Sequence, residues 1–88
     1  MHFVYFLKST SRKYHYIGVT QNVEKRLREH NNGYSKSTKP YRPFVIIHTE
    51  IFQNSKNAYK REFYLKSPKG YTEKIAILRQ VSKTTTRR

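Results

Sequence analysis

Five residues carry the chemistry open to this chain: Tyr5 and Tyr16, Arg26 and His30, and Glu62. The two tyrosines fall in short segments that read as paired strands, and Arg26 and His30 stand four apart on a helix, where side chains are neighbours. Phenols, a guanidinium and an imidazole within reach of one another suit phosphodiester chemistry. An arginine grips phosphate with two hydrogen bonds and never loses its charge. A phenol, with an ordinary pKa of about 10, becomes a base at neutral pH only where cations lower that value. Arg26 and the strongly positive chain are expected to push Tyr5 and Tyr16 that way.

The elements around these residues must place them. Residues 2–7 and 14–19 are rich in β-branched and aromatic side chains and read as strands; residues 9–13 read as a turn. So short a connection makes the pair an antiparallel hairpin. Side chains alternate between faces, so Tyr5 and Tyr16 share a face if odd positions pair with even ones. Direct opposition, with Thr10 and Ser11 at the tip, satisfies this. Gly18 inside the second strand marks either a close approach by another group or a bulge.

From Asn22 the pattern becomes helical. Thr20 or Asn22 can cap, Glu24 suits the positive end, and Asn31-Asn32-Gly33 is a stop signal. Val23, Leu27 and His30 share one side of this helix. Arg26 lies on the flank, where packing along its stem would position its head; Lys25 and Arg28 face water. His30 alone would read as a core-edge histidine, and its pairing with Arg26 gives it a functional reading.

Residues 34–42 form a polar, basic loop whose Lys36, Lys39 and Arg42, with Lys8, are candidate phosphate contacts. Residues 44–49 are a nearly continuous apolar run and read as a buried strand, with His48 and Glu50 at its edge and without a role. Asn54 or Ser55 caps a second helix that ends near Lys66, before Pro68. Its inward stripe is Ala58, Glu62 and Leu65. A carboxylate in that position needs a partner, because burying it bare costs several kcal/mol. A salt bridge to Arg26 or Arg61 would serve, and so would a metal ion. Residues 70–80 suggest a last short helix with Ile75, Leu78 and Tyr71 facing in. Residues 1–81 form one domain, and 82–88 a flexible basic tail.

Composition narrows the function. The 88 residues hold 19 Lys and Arg against five acids, a net charge of +14, and a field of that size draws polyanions, nucleic acid above all. All five acids are glutamates, spread through separate segments, which argues against the carboxylate cluster of a two-metal nuclease. A metal enzyme here would use one ion and one protein carboxylate. The absence of cysteine excludes disulfides and thiolate metal sites. Lys8 interrupts the apolar start of the chain too early for a signal peptide or membrane span, so a cytoplasmic protein with no membrane role is expected. Gly-rich phosphate loops, zinc spacings and internal repeats are also missing.

Tyr16-Ile17-Gly18, the tyrosine of Phe3-Val4-Tyr5, the segment from Val23 to Asn31 with Arg26 and His30, and the segment from Ala58 to Lys66 with Glu62 resemble the GIY-YIG nuclease superfamily. The resemblance is in particular to its small single-domain bacterial members related to the nuclease domain of the excision-repair protein UvrC. The match runs from residue 3 to about residue 80, and the first half of the name motif keeps only its tyrosine. The resemblance implies an α/β chain of the α+β type, a three-stranded antiparallel sheet flanked by helices. It further implies DNA hydrolysis assisted by one divalent ion, Mg²⁺ or Mn²⁺. By this likeness Glu62 holds the ion, one tyrosine is the general base while the other positions water or phosphate, and Arg26 neutralises charge on the phosphoryl oxygens. Which tyrosine is the base stays open.

The leading expectation is therefore a metal-dependent DNA endonuclease, structure-selective in repair or recombination, with substrate choice left to DNA shape or to a protein partner. The alternative is a nucleic-acid-binding module on the same fold, with Tyr14, Tyr34 and Tyr41 as stacking surfaces.

Overall fold

A computed structural model describes residues 1–86, with side chains described for residues 1–79. The elements run β1 (His2–Ser9), β2 (His15–Thr20), α1 (Val23–Asn31), β3 (Phe44–Phe52), α2 (Ser55–Lys66) and α3 (Tyr71–Thr86). The strands form one antiparallel sheet in the order β2-β1-β3, so the chain's first strand is its central one. The sheet is flanked by helices, as the sequence implied. α3 runs on to Thr86 in place of the short helix expected over residues 70–80, so the division at 81/82 into domain and tail falls within it, where side chains lie outside the described residues.

The central position of β1 explains its weak alternation, because both of its faces are covered. Val4 and Phe6 pack with Ala58 and Leu65 of α2 and with Ile77 and Leu78 of α3. Tyr5 and Leu7 pack on the opposite side with Val23 and Leu27 of α1 and with Phe44. Side chains two apart share a face, so one strand supplies both cores. Val4, where the name motif has Ile, is wholly buried in the first of them.

The β1–β2 ladder pairs Tyr5 with Gly18 and Leu7 with Tyr16. Direct opposition of the tyrosines, with Thr10 and Ser11 at the tip, is therefore corrected. The register is offset by two residues, which preserves the face and sets the phenols diagonally. The loop instead folds on Ser9, whose buried hydroxyl accepts from the backbone N–H groups of Ser11 and Arg12 and donates to Tyr41 O at 2.6 Å. The ladder passes through Gly18 without a bulge; the irregularity lies between Phe6 and Leu7 against β3.

Asn22 caps α1 by accepting from Lys25 N, and Asn54 caps α2 by accepting from Asn57 N, each satisfying a donor the helix leaves free. Gly33, at φ 80°, carries the chain out of α1 in the left-handed conformation that glycine adopts without penalty. Asn31 then ties the end of α1 to the start of β3: its Nδ2 donates to Phe44 O and its Oδ1 accepts from Phe44 N at 2.7 Å.

Two expectations of burial are corrected. β3 is an edge strand, with Val45 and Ile51 exposed, because the hairpin order puts β1 between it and β2. Tyr71 opens α3 and is exposed; Ile77 takes the inward place beside Leu78.

Candidate active site

Tyr5, Tyr16, Arg26 and His30 come together where α1 crosses the sheet. Tyr5 and His30 are almost fully buried, whereas Tyr16 and Arg26 are half-buried. The rings of Tyr5 and Tyr16 lie 6.0 Å apart, and His30 sits 4.8 Å from the Tyr16 ring and 6.3 Å from that of Tyr5. Gly18 makes the approach possible. A Cβ there would stand 2.8 Å from the Tyr5 hydroxyl and 2.9 Å from Cε2 of Tyr16, so the close-approach reading of this glycine holds and its occupant is the tyrosine pair.

His30 Nε2 faces two donors, the Tyr5 hydroxyl at 3.2 Å and the Arg26 guanidinium at 3.4 Å. An arginine can only donate, so Nε2 is the acceptor and the imidazole proton resides on Nδ1. There it donates to Thr38 Oγ1 at 2.9 Å, and the threonine hydroxyl donates onward to Ser35 O. Burial and the neighbouring Arg26 charge hold the His30 pKa below the ordinary imidazole value. The ring is neutral at pH 7. Thr38 escaped sequence reasoning, although it is wholly buried: one threonine in a polar loop gives no signal of its own.

The expectation that cations lower the phenol pKa is corrected for Tyr5. Burial outweighs the hydrogen bond and charge of Arg26 and pushes this hydroxyl up to about 12. Tyr5 therefore stays protonated at neutral pH and acts as a donor. Arg26 is held by Glu29, one turn on, and remains charged.

Glu62 is not brought into this cluster. It belongs to α2, on the other face of the sheet, where it is one-fifth exposed and paired with Lys66 at 2.9 Å. The bridge expected to Arg26 or Arg61 is thus replaced by one on its own helix. Lys66 in turn stands 5.7 Å from the centre of the Tyr16 ring, linking the carboxylate to the cluster at the edge strand β2. A cleft of about 300 Å³ opens there between Tyr16, Lys66 and Lys74. Among the described residues no group of three or more His, Cys, Asp or Glu could cage a metal ion. Glu50, read as idle, instead accepts two hydrogen bonds from Arg61 and one from His48.

The basic candidates divide between two places. Lys36, Lys39 and Arg42 are exposed on the loop after α1, and Arg42 Nε is pinned to Lys39 O at 3.0 Å. Lys8 lies in the hollow between the hairpin and α3. Tyr14 and Tyr41 stack on each other at 3.9 Å and 6°, so two of the three expected stacking surfaces are spent internally; Tyr34 is exposed.

A hairpin carrying two tyrosines, a helix presenting Arg and His beneath them, and a carboxylate on the next helix define a class of nuclease domain. Residues 1–75 match the family model of the GIY-YIG catalytic domain, and the chain belongs to that family. The family is one of endonucleases acting on DNA with divalent metal ions. Within it the chain resembles small proteins named UPF0213. A UPF0213 protein of Clostridium perfringens is 40% identical over 67 residues, covering 75% of this chain and 71% of its own length. One from Syntrophus aciditrophicus is 38% identical over 80 residues, covering 89% and 90%. The solution NMR structure of a UPF0213 protein from Bacillus halodurans superposes with a TM-score of 0.50 at 26% identity, over 86% of this chain and 83% of that one. No helix of the described residues is long and apolar enough to cross a membrane.

Proposed function

We propose that the chain is a metal-dependent endonuclease that hydrolyses DNA phosphodiester bonds in the cytoplasm, with a preference for branched or flapped structures met in repair or recombination. The observation that carries this reading is the meeting of Tyr5, Tyr16, Arg26 and His30 around Gly18, with a neutral, tautomer-fixed imidazole between the tyrosine and the arginine.

The residues divide the work by exposure. Tyr16 is half-exposed at the mouth of the cleft, so it is the tyrosine that can touch a water, and it serves as the base. Tyr5, buried and protonated, donates a hydrogen bond and positions His30 and Arg26. Arg26 spreads its charge over the phosphoryl oxygens as negative charge develops. His30, with its proton on Nδ1, presents Nε2 as the fixed acceptor for the Tyr5 hydroxyl and the Arg26 guanidinium.

The donor set fits one kind of ion. A lone carboxylate with no supporting cage suits Mg²⁺ or Mn²⁺, which keep several waters and share their coordination with substrate phosphate. Glu62 would hold it, in exchange for its bridge to Lys66. When bound, the ion supplies Lewis-acid polarisation of the phosphate and relief of charge on the leaving oxygen.

The test is cleavage of labelled linear, flapped, forked and four-way-junction DNAs with Mg²⁺, Mn²⁺ or chelator, with wild type beside Glu62→Ala and Tyr16→Phe. Metal-dependent cutting by wild type, lost in both variants while binding survives, is expected. Binding without cutting on every substrate in either metal would leave a binding module on an inherited fold.

A further inference from the structure

Two hollows adjoin the site and share two of their walls. The cleft at Tyr16, Lys66 and Lys74 is bounded on its other side by Tyr14 and His15, and those same residues line a larger hollow of about 690 Å³ against α3. That larger hollow takes its charge from Lys8, Lys13 and Arg79, and its apolar floor from Ile75 and Leu78. No carboxylate lines either one. The result is a track from the candidate base along β2 to α3, with five cationic side chains on its walls. The exposed ring of Tyr71 lines the larger hollow where the two meet, flanked by Lys74 of the smaller cleft, whose Nζ lies 5.2 Å from the ring centre.

We propose that this track binds a single strand of DNA, leading it past Tyr71 to the candidate active site. The inference rests on the nuclease reading and deepens it, naming the single-stranded arm of a flap or fork as the part of the substrate the protein grips. Cations along a groove answer the phosphates, and an exposed aromatic ring beside apolar side chains answers the unpaired bases. A duplex has no use for the second feature, because its base faces are already stacked. The loop cations Lys36, Lys39 and Arg42 line neither hollow and are left for the paired part of the substrate.

The experiment is fluorescence anisotropy with a short labelled oligothymidylate and with a duplex of equal length, in chelator, across a salt series. Wild type is expected to favour the single strand. Tyr71→Ala should weaken that binding roughly tenfold, in line with the loss of one base stack. Arg79→Gln and Lys13→Gln should each lower the slope of log affinity against log salt by about 0.7, the value for one phosphate contact on a single strand. Lys25→Gln, on the solvent side of α1, is the control and should leave single-strand affinity unchanged. Photo-crosslinking of a bromodeoxyuridine oligonucleotide to Tyr71 supplies a second reading that does not depend on a variant. Equal binding of duplex and single strand, equal loss from Lys25→Gln and Arg79→Gln, or crosslinking only to the 34–42 loop would overturn the proposal. Binding in chelator is independent of hydrolysis. An intact track without cleavage therefore counts against the nuclease alone, and cleavage without single-strand preference counts against the track alone.

Discussion

The Tyr5 hydroxyl donates to His30 Nε2 at 3.2 Å, and this contact joins the central strand to α1 at the bottom of the candidate site. Its geometry depends on the far side of the ring, where Nδ1 donates to Thr38. Replacing Thr38 with valine leaves a buried N–H without an acceptor, at a cost of about 1–3 kcal/mol. The ring is then free to move its proton to Nε2, where it would oppose Arg26 and turn away from Tyr5. Nitrogen chemical shifts of the imidazole should show an Nδ1-protonated ring in wild type and in Thr38→Ser, and a mixture in Thr38→Val. Identical shifts in all three would remove Thr38 from the site.

Gly18→Ala tests how closely the tyrosines are set. The added methyl would meet the Tyr5 hydroxyl and the Tyr16 ring inside contact distance, and Tyr5 cannot retreat because it is packed in the core beside Leu7 and Phe44. Overpacking of this kind costs about 1–3 kcal/mol. A lower urea midpoint is expected, together with loss of the tyrosine near-ultraviolet circular dichroism and at least a tenfold fall in cleavage, since small displacements of reacting groups cost about that much or more. Unchanged dichroism would mean that β2 shifts as a unit and the phenols are not clamped.

What could be read from the sequence was local. The periodicity around Arg26 and His30, the caps Asn22 and Asn54, and the shared face of Tyr5 and Tyr16 all depend on residues within a few positions or on the two-residue repeat of a strand. The hairpin's offset was not legible, because Ser9 sets it by bonding to Tyr41, 32 residues away. Thr38 has the same appearance as the solvated residues around it, and only the fold of its loop turns it onto His30. Glu62 was placed correctly on the inner side of α2, but its sequence neighbours could not say that Arg61 would be claimed by β3 and α3, leaving Lys66 as its partner. The depression expected for the phenols failed at Tyr5 because charge is countable in a sequence and burial is not.

The histidines set the response to acid. Burial and nearby cations hold both His30 and His15 below the ordinary value, His30 facing Arg26 with Glu29 opposing, and His15 facing Lys74. Between those lowered values and about 6.5 the unfolded chain binds more protons than the folded one, so stability rises with pH through that window. Urea midpoints should be level above about pH 7 and fall as the pH drops below about 6.5. His30→Gln should remove part of that fall and His15→Gln a further part. A slope untouched by either would assign the acid response to other groups.

Arg61 is predicted to be structural although it adjoins Glu62. From α2 it donates Nε to Glu50 Oε1 at 2.7 Å and Nη2 to Glu50 Oε2 at 3.0 Å, and it also donates to Glu73, so one guanidinium joins β3, α2 and α3. Its hydrogen bonds, ahead of the opposing effect of burial, hold the Glu50 carboxyl below the usual range. Arg61→Met leaves Glu50 about one-fifth exposed with only His48 for company, and should cost about 1–3 kcal/mol. Glu73→Gln removes the charge from only the more exposed arm and should cost about 0–1 kcal/mol. Adding Glu50→Leu to Arg61→Met should recover part of the loss, because the carboxylate left unpaired is then gone. Well below the melting temperature, cleavage by Arg61→Met should match wild type, since Arg61 packs on the face of the sheet opposite Tyr5 and His30. A fall in cleavage without a fall in stability would instead place the guanidinium on the substrate.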